Sequence, residues 1–466
     1  MLVVSIQGPY SEAKKELDFA LKQNADAIEF RLDLMRHLNL FEIRDLRDRC
    51  PLPVIFTLRT PSQGGAFKKN EAERKKTFFD LLGLNPDYID IEYDSDWISM
   101  IPPEIKKIIS YHNWTETPQH LEVILSRLKK WPAAVYKIAT FAHSSLDSLR
   151  ILAFVQRHSQ VAGMCMGKAG RLTRILAPVI GSALTYTFVE RKTAPGQVSF
   201  SELVTLYRYF QLNSQTKIYA VIGDPLDQSL GPLFHNQMFE RFKANSVYVK
   251  IPLKRSHLDS FFSIIQDLPF AGLSVTMPLK EAVIDALQSP TLEEKNMRAV
   301  NTLIKKEEKW IGINTDGKGA LNALEKKKKV AHQTVLIIGS GATAQAIAKE
   351  AAKRGAEVMI SSRTFEKAQQ VATQFGGKAI PSDQIATCMY DVIINATPIG
   401  MFSNSTDQVI AEKDIRAHVL ALDVVIQPEV TPFLRAIQKK GGTVVLGVEM
   451  YLEQAMLQLK AWSIID

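Results

Sequence analysis

Charged side chains interrupt several short apolar segments in the first half of the chain, and one of them is a lysine. Burying a charge is costly unless the charge is paired or used in chemistry. Lys137 lies in the apolar segment AAVYKIAT. A lysine among apolar and cationic neighbours loses proton affinity and becomes a nucleophilic amine that can form a Schiff base with a ketone. The other charged side chains in comparable segments are those of Glu29, Arg31, Arg59, Asp90, Glu92 and His112.

A Schiff base needs a partner group, because the C–H next to the imine carbon becomes acidic and a base must remove its proton. His112 ends the segment IISYH, which precedes the segment of Lys137, and could be that base. Taken alone, these two residues are explained at least as well by two ordinary roles. Lys137 could lie on an edge strand with its ammonium in solvent, and His112 could be a structural histidine. The pair therefore indicates imine chemistry only together with the other polar residues.

The second half contains a turn that suits a dinucleotide. The run TVLIIGSGATAQAIAKEAAKRGAEVMISSRT predicts a strand, a glycine-rich turn, a helix and a second strand. Gly339 permits the tight turn, Gly341 lets the backbone approach a pyrophosphate, and the small Ala344 lets the helix pack on the strand. An ordinary strand-to-helix turn is the alternative. The second strand is followed by Arg363 and by no acid, which favours NADP over NAD, because a guanidinium suits a 2′-phosphate.

Two further residues in this half could move a proton. Lys280 follows the strand-like segment GLSVTM at a predicted helix start, and Asp316 is expected in a loop, in GINTDG. A lysine–aspartate pair can deliver a proton to a carbonyl that is being reduced. A surface salt bridge is the simpler alternative, and the spacing does not show that the two residues meet.

Residues 1–212 alternate strand-like segments with amphipathic stretches. The stretch 120–131 places Leu121, Ile124, Leu125 and Leu128 at helical spacing. Eight β/α units close naturally into a (β/α)8 barrel, in which the chemistry lies at the carboxyl ends of the strands. The predicted strands are LVVSI, AIEFRLD, VIFTLRT, YIDIEY, IISYH, AVYKIATF, VAGMCMG and LTYTFVE.

A polar stretch at 213–217 is predicted as a linker, and the α/β alternation restarts with IYAVIGDP. It continues to about residue 318 and is followed by the glycine-rich turn. After a last strand, TVVLG, a final helix is expected at 450–466. The fold class is therefore α/β, with a barrel followed by a unit that contains a Rossmann-type lobe.

Bulk properties limit the function. The 466 residues predict several domains, and 46% hydrophobic with 23% charged residues is typical of a soluble globular protein. The net charge of +8 is spread along the chain, and its one dense run, Lys326–Lys329, is interpreted as a solvated helix end. No apolar run could span a bilayer, Met1–Tyr10 is a poor signal peptide, and no nucleic-acid module is present. Three cysteines far apart, Cys50, Cys165 and Cys388, suit a reducing cytoplasm.

The first half resembles type I 3-dehydroquinate dehydratase over nearly its full length. The matching motifs are EFRLD, TLRT, SYHN, YKIAT, GMCMGKAGRLTR and RKTAPGQ. The resemblance implies that Lys137 forms the imine, that His112 removes the C2 proton and protonates the departing hydroxyl, and that Arg174 clamps the substrate carboxylate. No metal is implied, because the imine supplies the electron sink. The further implied substrate ligands are Glu29, Arg31, Arg59, Thr193 and Gln197.

Two positions depart from that family's pattern. Gln63 stands where a glutamate is usual, and Thr193 stands where a serine is usual. Threonine keeps the hydroxyl. Glutamine keeps hydrogen bonding but removes a charge that would raise the pKa of His112, so we expect a working enzyme with a lower His112 pKa.

Residues 217–466 resemble shikimate dehydrogenase, through YAVIGDPLDQSLGP, VTMPLK, AVNTL, INTDG, GSGATAQA, SSRT, NATPIGM and GVEMYLEQA. The resemblance implies a substrate lobe at 217–318, with 450–466 returning to it, and an NADP-binding Rossmann lobe at 319–449. It makes Lys280 and Asp316 the catalytic pair. The implied substrate ligands are Ser229, Ser274, Thr276, Asn301 and Gln454. The implied NADP ligands are Gly339, Ser340, Gly341, Ala342, Thr343, Ala344, Ser362, Arg363, Thr364, Lys367, Thr397 and Gly447.

This half also departs from its family. The usual SxSP motif reads Ser229-Leu230-Gly231-Pro232, so one hydroxyl that would bind the substrate carboxylate is missing. Asparagine is more usual where Ser274 stands. Both departures concern residues that would bind the substrate and not the catalytic pair.

Together the two resemblances predict a bifunctional cytoplasmic enzyme, a monomer or homodimer, with small-molecule substrates and neither nucleic-acid nor membrane partners. Three alternatives remain. The barrel could be an aldolase-like imine enzyme, which the Arg174 and Gln197 clamp disfavours. One half could be inactive and act as a binding or regulatory module. The reductase could prefer quinate with NAD, which Arg363 disfavours.

Overall fold

The computed structural model describes residues 1–35, 39–287, 299–401 and 407–466. The chain divides into two compact units, Met1–Phe270 and Ala271–Asp466. Each unit is described by itself below. No helix among the described residues is both long and apolar enough to cross a membrane.

The first unit begins with a nearly closed barrel of parallel strands. The strands pair in the order β7-β6-β5-β4-β3-β2-β1-β8, and every predicted strand segment of residues 1–212 overlaps one of them. The predicted (β/α)8 barrel is therefore confirmed. The strands are β1 (Leu2–Ile6), β2 (Ala27–Arg31), β3 (Val54–Thr57), β4 (Tyr88–Glu92), β5 (Lys106–His112), β6 (Val135–Phe141), β7 (Val161–Met166) and β8 (Thr185–Thr187).

Amphipathic helices lie between these strands: α1 (Tyr10–Lys22), α2 (Leu40–Arg49), α3 (Glu71–Leu82), α4 (Leu121–Leu128), α5 (Ser145–Gln156) and α6 (Arg171–Ile175). The four apolar residues predicted to line one face of α4 are all buried. This helix ends at Leu128 and not at the predicted Trp131. Pro132 excludes Trp131 from the helix, because a proline disfavours helical geometry in the residue before it.

The first unit continues beyond the barrel. A segment with π-helical geometry, Glu202–Leu206, is followed by the parallel pair β9 (Lys217–Gly223) and β10 (Ser246–Pro252), with α7 (Gly231–Arg241) between them and α8 (Leu258–Ile265) after them. The Arg208 guanidinium donates to the carbonyl of Ser246 at 2.7 Å. This hydrogen bond ties the end of the barrel to β10.

The second unit starts with a short antiparallel sheet. β11 (Phe270–Val275), which spans the boundary between the units, pairs with β12 (Thr302–Lys306), and β12 pairs with β13 (Lys309–Ile313). The helices α9 (Ala282–Asp285) and α10 (Asp316–Glu325) follow β11 and β13. α10 begins at Asp316, which the sequence placed in a loop. The Asn314 side chain explains the turn, because its Oδ1 accepts the Asp316 N–H at 2.9 Å.

A six-stranded parallel sheet forms the rest of the second unit, in the order β16-β15-β14-β17-β18-β19. This is the strand order of a Rossmann fold, as predicted. Alternate residues of β14 enter the apolar clusters on its two faces. The elements are β14 (Thr334–Ile338), α11 (Ala342–Lys353), β15 (Glu357–Ser361), α12 (Phe365–Gln374), β16 (Lys378–Ala379), β17 (Val392–Asn395), β18 (Leu420–Asp423), α13 (Pro432–Lys439), β19 (Thr443–Val445) and α14 (Gly447–Ala461).

The last helix, α14, packs against α10 and reaches the antiparallel sheet. The indole Nε1 of Trp462 donates to the carbonyl of Leu303 in β12 at 3.0 Å. Gln458 donates to Thr302 Oγ1 at 2.9 Å. Helix α14 therefore completes the surroundings of β12, although it follows the Rossmann sheet in sequence.

Candidate active sites

A pocket in the barrel brings together all the residues that the sequence assigned to the dehydratase half. They come from the ends of different strands and from the loops that follow, as expected for a barrel of this type. The pocket is lined by Glu29, Arg31, Arg59, His112, Lys137, Arg174, Thr193 and Gln197, together with Ser5, Gln63, Gly64, Trp114, Ala139, Met164, Met166, Tyr186 and Ala194.

Lys137 is buried in this pocket and paired. Its Nζ lies 2.7 Å from Oδ2 of Asp90, whose Oδ1 lies 2.6 Å from the Arg59 guanidinium. Burial lowers the pKa of Lys137, and the charge of Arg59 lowers it further against the opposing effect of Asp90. The amine therefore gives up its proton more readily than a lysine in water, as imine formation requires.

His112 ends β5 beside Lys137, and Gln63 contacts its ring. The His112 Nδ1 lies 3.2 Å from Gln63 Oε1. If Nδ1 carries the hydrogen and donates to this oxygen, Nε2 is left to accept a proton. Burial lowers the pKa of His112 well below its usual value, and the positive charges of Arg59 and Lys137 lower it further. The imidazole is therefore neutral at neutral pH, which is the form that a base needs.

Arg174 is set up to bind an anion. It is buried, and its Nη1 donates to the carbonyls of Cys165 and Gly196. Its Nε is buried without a hydrogen-bond partner among the described residues. Burial lowers the pKa of Arg174 to about 10, so the guanidinium is still charged at neutral pH. A charged donor left open in a pocket suits a substrate carboxylate.

The other predicted ligands are held by neighbours. Glu29 accepts hydrogen bonds from Ser5 Oγ at 2.5 Å and Thr57 Oγ1 at 2.8 Å. Arg31 pairs with both oxygens of Asp33, at 3.0 and 2.9 Å. The amide of Gln197 joins the backbone N–H and the hydroxyl of Thr193, at 2.7 and 2.9 Å. These contacts fix the side chains before a ligand enters the pocket.

The sequence assigned no role to Asp90, which contacts Lys137, or to the pocket residues Trp114 and Tyr186. Asp90 stood out as a charge in an apolar strand, but only the structure shows that it links Lys137 to Arg59. Trp114 and Tyr186 look like ordinary core aromatics in sequence. Gly64 packs so closely on the Trp114 ring that a Cβ there would lie 1.9 Å from it.

The contact between Gln63 and His112 predicts an effect of pH. In Gln63→Glu, the carboxylate will raise the His112 pKa, and the base works only when deprotonated. The acid limb of kcat/KM for dehydration will therefore move to higher pH, by about one unit. Gln23→Glu, which adds a charge at an exposed position, is the control and should leave the profile unchanged. An acid limb that does not move in Gln63→Glu would count against His112 as the base.

In the second unit, Lys280 and Asp316 meet. The Lys280 ammonium forms a short ion pair with Asp316 Oδ2, and both lie 3.3 Å from Thr343 Oγ1. Asn301 Nδ2 donates to the other Asp316 oxygen at 2.6 Å. The Asp316 side chain is only 3% exposed, so this is not the surface salt bridge of the alternative interpretation. Thr343, assigned to the cofactor, thus touches the predicted catalytic pair.

Other predicted substrate ligands of this unit lie close by. The Ser274 hydroxyl donates to Gln458 Oε1 at 2.9 Å, and Gln458 Nε2 donates to the Asn301 carbonyl at 3.3 Å. Gln458 was not predicted, although it follows Gln454 by one helical turn. Gln454 lies against Gly319 on α10, and Thr276 lies in the turn after β11.

Ser229 belongs to the first unit. Its Oγ accepts the N–H of Gly231 at 3.2 Å, at the start of α7. A Cβ on Gly231 would lie 2.7 Å from the ring of Tyr248. The position of the missing second hydroxyl is therefore crowded by an aromatic ring.

The glycine-rich turn has the expected geometry. Gly339 has a φ of +130°, and a Cβ there would lie 2.8 Å from the carbonyl of Ala396 and 3.3 Å from the side chain of Thr397. A Cβ on Gly341, in contrast, would meet nothing within 4 Å. Helix α11 begins at Ala342, and its first N–H groups point to this open space, which suits a phosphate.

Other predicted cofactor residues follow the carboxyl ends of β15 and β19 in the same sheet. Ser362, Arg363 and Thr364 follow β15, and Arg363 is exposed and has no ion pair among the described residues. Lys367 lies in the first turn of α12. Gly447 begins α14 beside the carbonyl of Val425, from which a Cβ would lie 2.2 Å away.

Comparison with known proteins agrees with this geometry. Residues 2–214 match the family model of type I 3-dehydroquinase, residues 221–303 match the shikimate dehydrogenase substrate binding domain, and residues 322–439 match shikimate/quinate 5-dehydrogenase. The chain is 32% identical to the chloroplastic bifunctional 3-dehydroquinate dehydratase/shikimate dehydrogenase of Arabidopsis thaliana, over 96% of this chain and 79% of that protein. It is 33% identical to the shikimate biosynthesis protein AroDE of Chlamydia pneumoniae, over 99% and 95%. The structure of shikimate 5-dehydrogenase from Thermus thermophilus with NADP(H) and shikimate is 28% identical, with a TM-score of 0.51, and covers 54% of this chain and 94% of that one.

These findings define a fused lyase and oxidoreductase of the shikimate pathway. The chain belongs to the family of bifunctional 3-dehydroquinate dehydratase/shikimate dehydrogenase proteins. It has a type I dehydratase domain, with which a Schiff-base mechanism is consistent, and an NADP-dependent shikimate dehydrogenase domain.

Proposed function

We propose that this chain carries out the two reactions in sequence with the residues assigned above. Residues 1–212 would dehydrate 3-dehydroquinate to 3-dehydroshikimate. Residues 217–318 with 450–466, and the Rossmann lobe at 319–449, would reduce that product to shikimate. The observation that carries the proposal is the buried Lys137, with its lowered pKa, in one pocket with His112.

In the dehydratase, neutral Lys137 attacks the ketone carbon C3, and loss of water gives the imine. Arg174 binds the carboxylate and orients the ring. His112 takes a proton from C2, and the electron pair of that C–H bond moves towards the imine nitrogen. The C1 hydroxyl then leaves as water with a proton from His112. Hydrolysis of the imine releases the product and regenerates Lys137, so the net change is the loss of one water.

In the dehydrogenase, bound NADPH supplies the hydride for the carbonyl carbon. Lys280 delivers the proton to the carbonyl oxygen, and Asp316 and Thr343 hold its ammonium in place. Asn301 fixes the Asp316 carboxylate through the second oxygen. We propose that substrate also contacts Ser229, Ser274, Thr276 and Gln454.

The residues at the glycine-rich turn fit NADP. The open space beside Gly341 and the start of α11 suit the pyrophosphate, and the exposed Arg363 suits the 2′-phosphate. Ser340, Ala342, Ala344, Ser362, Thr364, Lys367, Thr397 and Gly447 would complete the site. We propose no metal for either reaction, and within the described residues no three His, Cys, Asp or Glu side chains form a possible metal site.

Removing Arg363 will weaken NADPH binding selectively. A hydrogen bond to a charged group contributes about 1.5–3 kcal/mol, so Arg363→Ala should raise the KM for NADPH by about 10- to 100-fold. NADH carries no 2′-phosphate, so its KM should change little. Arg435→Ala, which removes an exposed guanidinium from α13, is the control. Equal losses with both cofactors would contradict the assignment. In the oxidative direction, comparing NADP+ and NAD+ with shikimate and with quinate tests the substrate preference.

The whole proposal is tested with one assay. The purified chain is given 3-dehydroquinate and NADPH, and the loss of NADPH absorbance is followed while the product is identified. Steady consumption with formation of shikimate is expected. If no consumption is seen, direct addition of 3-dehydroshikimate identifies the inactive half. Restored consumption of NADPH indicates that the barrel is inactive, and continued absence of consumption indicates that the dehydrogenase is inactive.

A cytoplasmic location is also proposed, and the three free cysteines support it.

A further inference from the structure

The barrel pocket contains a hydroxyl group that none of the roles above uses. Tyr186 is the middle residue of β8, is only 4% exposed and lines the pocket with Lys137. Its hydroxyl oxygen is buried and has no hydrogen-bond partner among the described residues. Leaving a buried hydroxyl unpaired is unfavourable. A ligand that supplied the missing partner would therefore gain binding energy from this group.

The ring of Tyr186 is placed at the reacting nitrogen. The Nζ of Lys137 lies 4.1 Å from the ring centroid, a distance at which the ring face attracts a cation. When Lys137 is joined to C3 of the substrate, the same ring flanks the imine. C3 has one oxygen-bearing neighbour, C4, since C2 carries the proton that is removed, and the phenol hydroxyl belongs to the ring that flanks this part of the substrate.

The hydroxyl is also in the protonation state that can donate. Burial raises the pKa of Tyr186 well above its usual value, and the charges of Glu29 and Asp90 raise it further. The phenol is therefore neutral at neutral pH. It can donate its hydrogen to an oxygen and accept a hydrogen in return.

We propose that Tyr186 is a substrate-binding residue of the dehydratase, whose hydroxyl forms a hydrogen bond with an oxygen of 3-dehydroquinate beside the ketone carbon. The inference rests on the proposed role of Lys137. It goes beyond the assigned ligands, because the contact comes from β8 and from a residue to which none of the roles above was given. It gives the pocket a means of selecting ketones that carry a neighbouring hydroxyl.

The adjacent residue offers a matched control. Successive side chains of a strand point to opposite faces, so Thr185 faces away from the pocket. It is 1% exposed, and its Oγ1 is also buried without a partner among the described residues. Thr185→Val therefore removes a hydroxyl of the same kind from the same strand, without removing a contact to substrate.

The test compares Tyr186→Phe with Thr185→Val. Active enzyme is first quantified by NADP-dependent oxidation of shikimate in each sample. Tyr186→Phe should raise the KM for 3-dehydroquinate about tenfold, which corresponds to the loss of one hydrogen bond. Its thermal midpoint should stay equal or rise, because an unsatisfied group has been removed. Borohydride reduction at saturating substrate should still label Lys137. Thr185→Val should keep the wild-type KM.

Three results would overturn the inference: an unchanged KM in Tyr186→Phe, an equal rise of KM in both variants, or loss of borohydride labelling at saturating substrate. The last result would show damage to Lys137 and not the loss of a substrate contact. Failure to label Lys137 in the wild-type chain would instead refute the imine assignment, so the two failures can be told apart.

Discussion

Lys137→Ala will abolish the formation of shikimate from 3-dehydroquinate and will leave the reduction of 3-dehydroshikimate intact. The substitution removes the only atom that can form the imine in the proposed mechanism, and loss of a nucleophile costs at least about 10⁴-fold in kcat. The barrel pocket contains other cations, but Arg59 is held by Asp90 and Glu92 and cannot replace an amine.

The measurement is NADPH consumption with each substrate in turn, with the product identified. Wild-type enzyme treated with borohydride and substrate should gain a covalent adduct on Lys137, and the variant should gain none. Lys130→Ala removes an exposed lysine from the segment before β6 and should behave as wild type. Substantial dehydration by Lys137→Ala would mean that the reaction does not need this imine.

Lys280→Ala will lower kcat for the reduction of 3-dehydroshikimate by about 10²–10⁴-fold, the usual contribution of a positioned proton donor. The pair that it disrupts is nearly enclosed, with the Asp316 side chain only 3% exposed, so bulk water is a poor substitute. Dehydratase activity of the same molecule should be unchanged. Binding of NADPH, followed by fluorescence, should also persist.

Coupling between the two residues is measured with a double-mutant cycle. Because Lys280 and Asp316 act as one unit, the double variant Lys280→Ala/Asp316→Asn should lose little more than Lys280→Ala alone. Lys318→Ala, at an exposed position of helix α10, which begins at Asp316, is the control. Fully additive losses, or a normal kcat in Lys280→Ala, would contradict a shared role in proton transfer.

The architecture was predictable because its signals are local. Each barrel strand is a short apolar run, and the Rossmann turn carries glycines that its backbone requires, such as Gly339 with its φ of +130°. The ends of helices were less predictable, although the residues that fix them are close by in sequence. The end of α4 depended on Pro132, and the start of α10 depended on a hydrogen bond to the Asn314 side chain.

The contacts within the sites were less predictable, because they join residues that are distant in sequence. The sequence named Lys280 and Asp316 but could not show that they meet. It could not reveal Gln458 as the residue that holds Ser274, since that contact spans 184 residues. Tyr186 was missed because an aromatic residue in a strand resembles core, and only the structure shows its unpaired hydroxyl and its contact with Lys137.

The packing of α14 on β12 sets an order of events during protein synthesis. Gln458 holds Asn301 across 157 residues, and Asn301 in turn positions Asp316. When the ribosome has just added Asp316, it has therefore not yet made Gln458, which holds the surroundings of Asp316. Residues 1–212 of the barrel were made earlier and have already left the exit tunnel. The dehydratase domain can thus fold and act on its substrate while it is still part of a nascent chain whose dehydrogenase domain lacks its final helix.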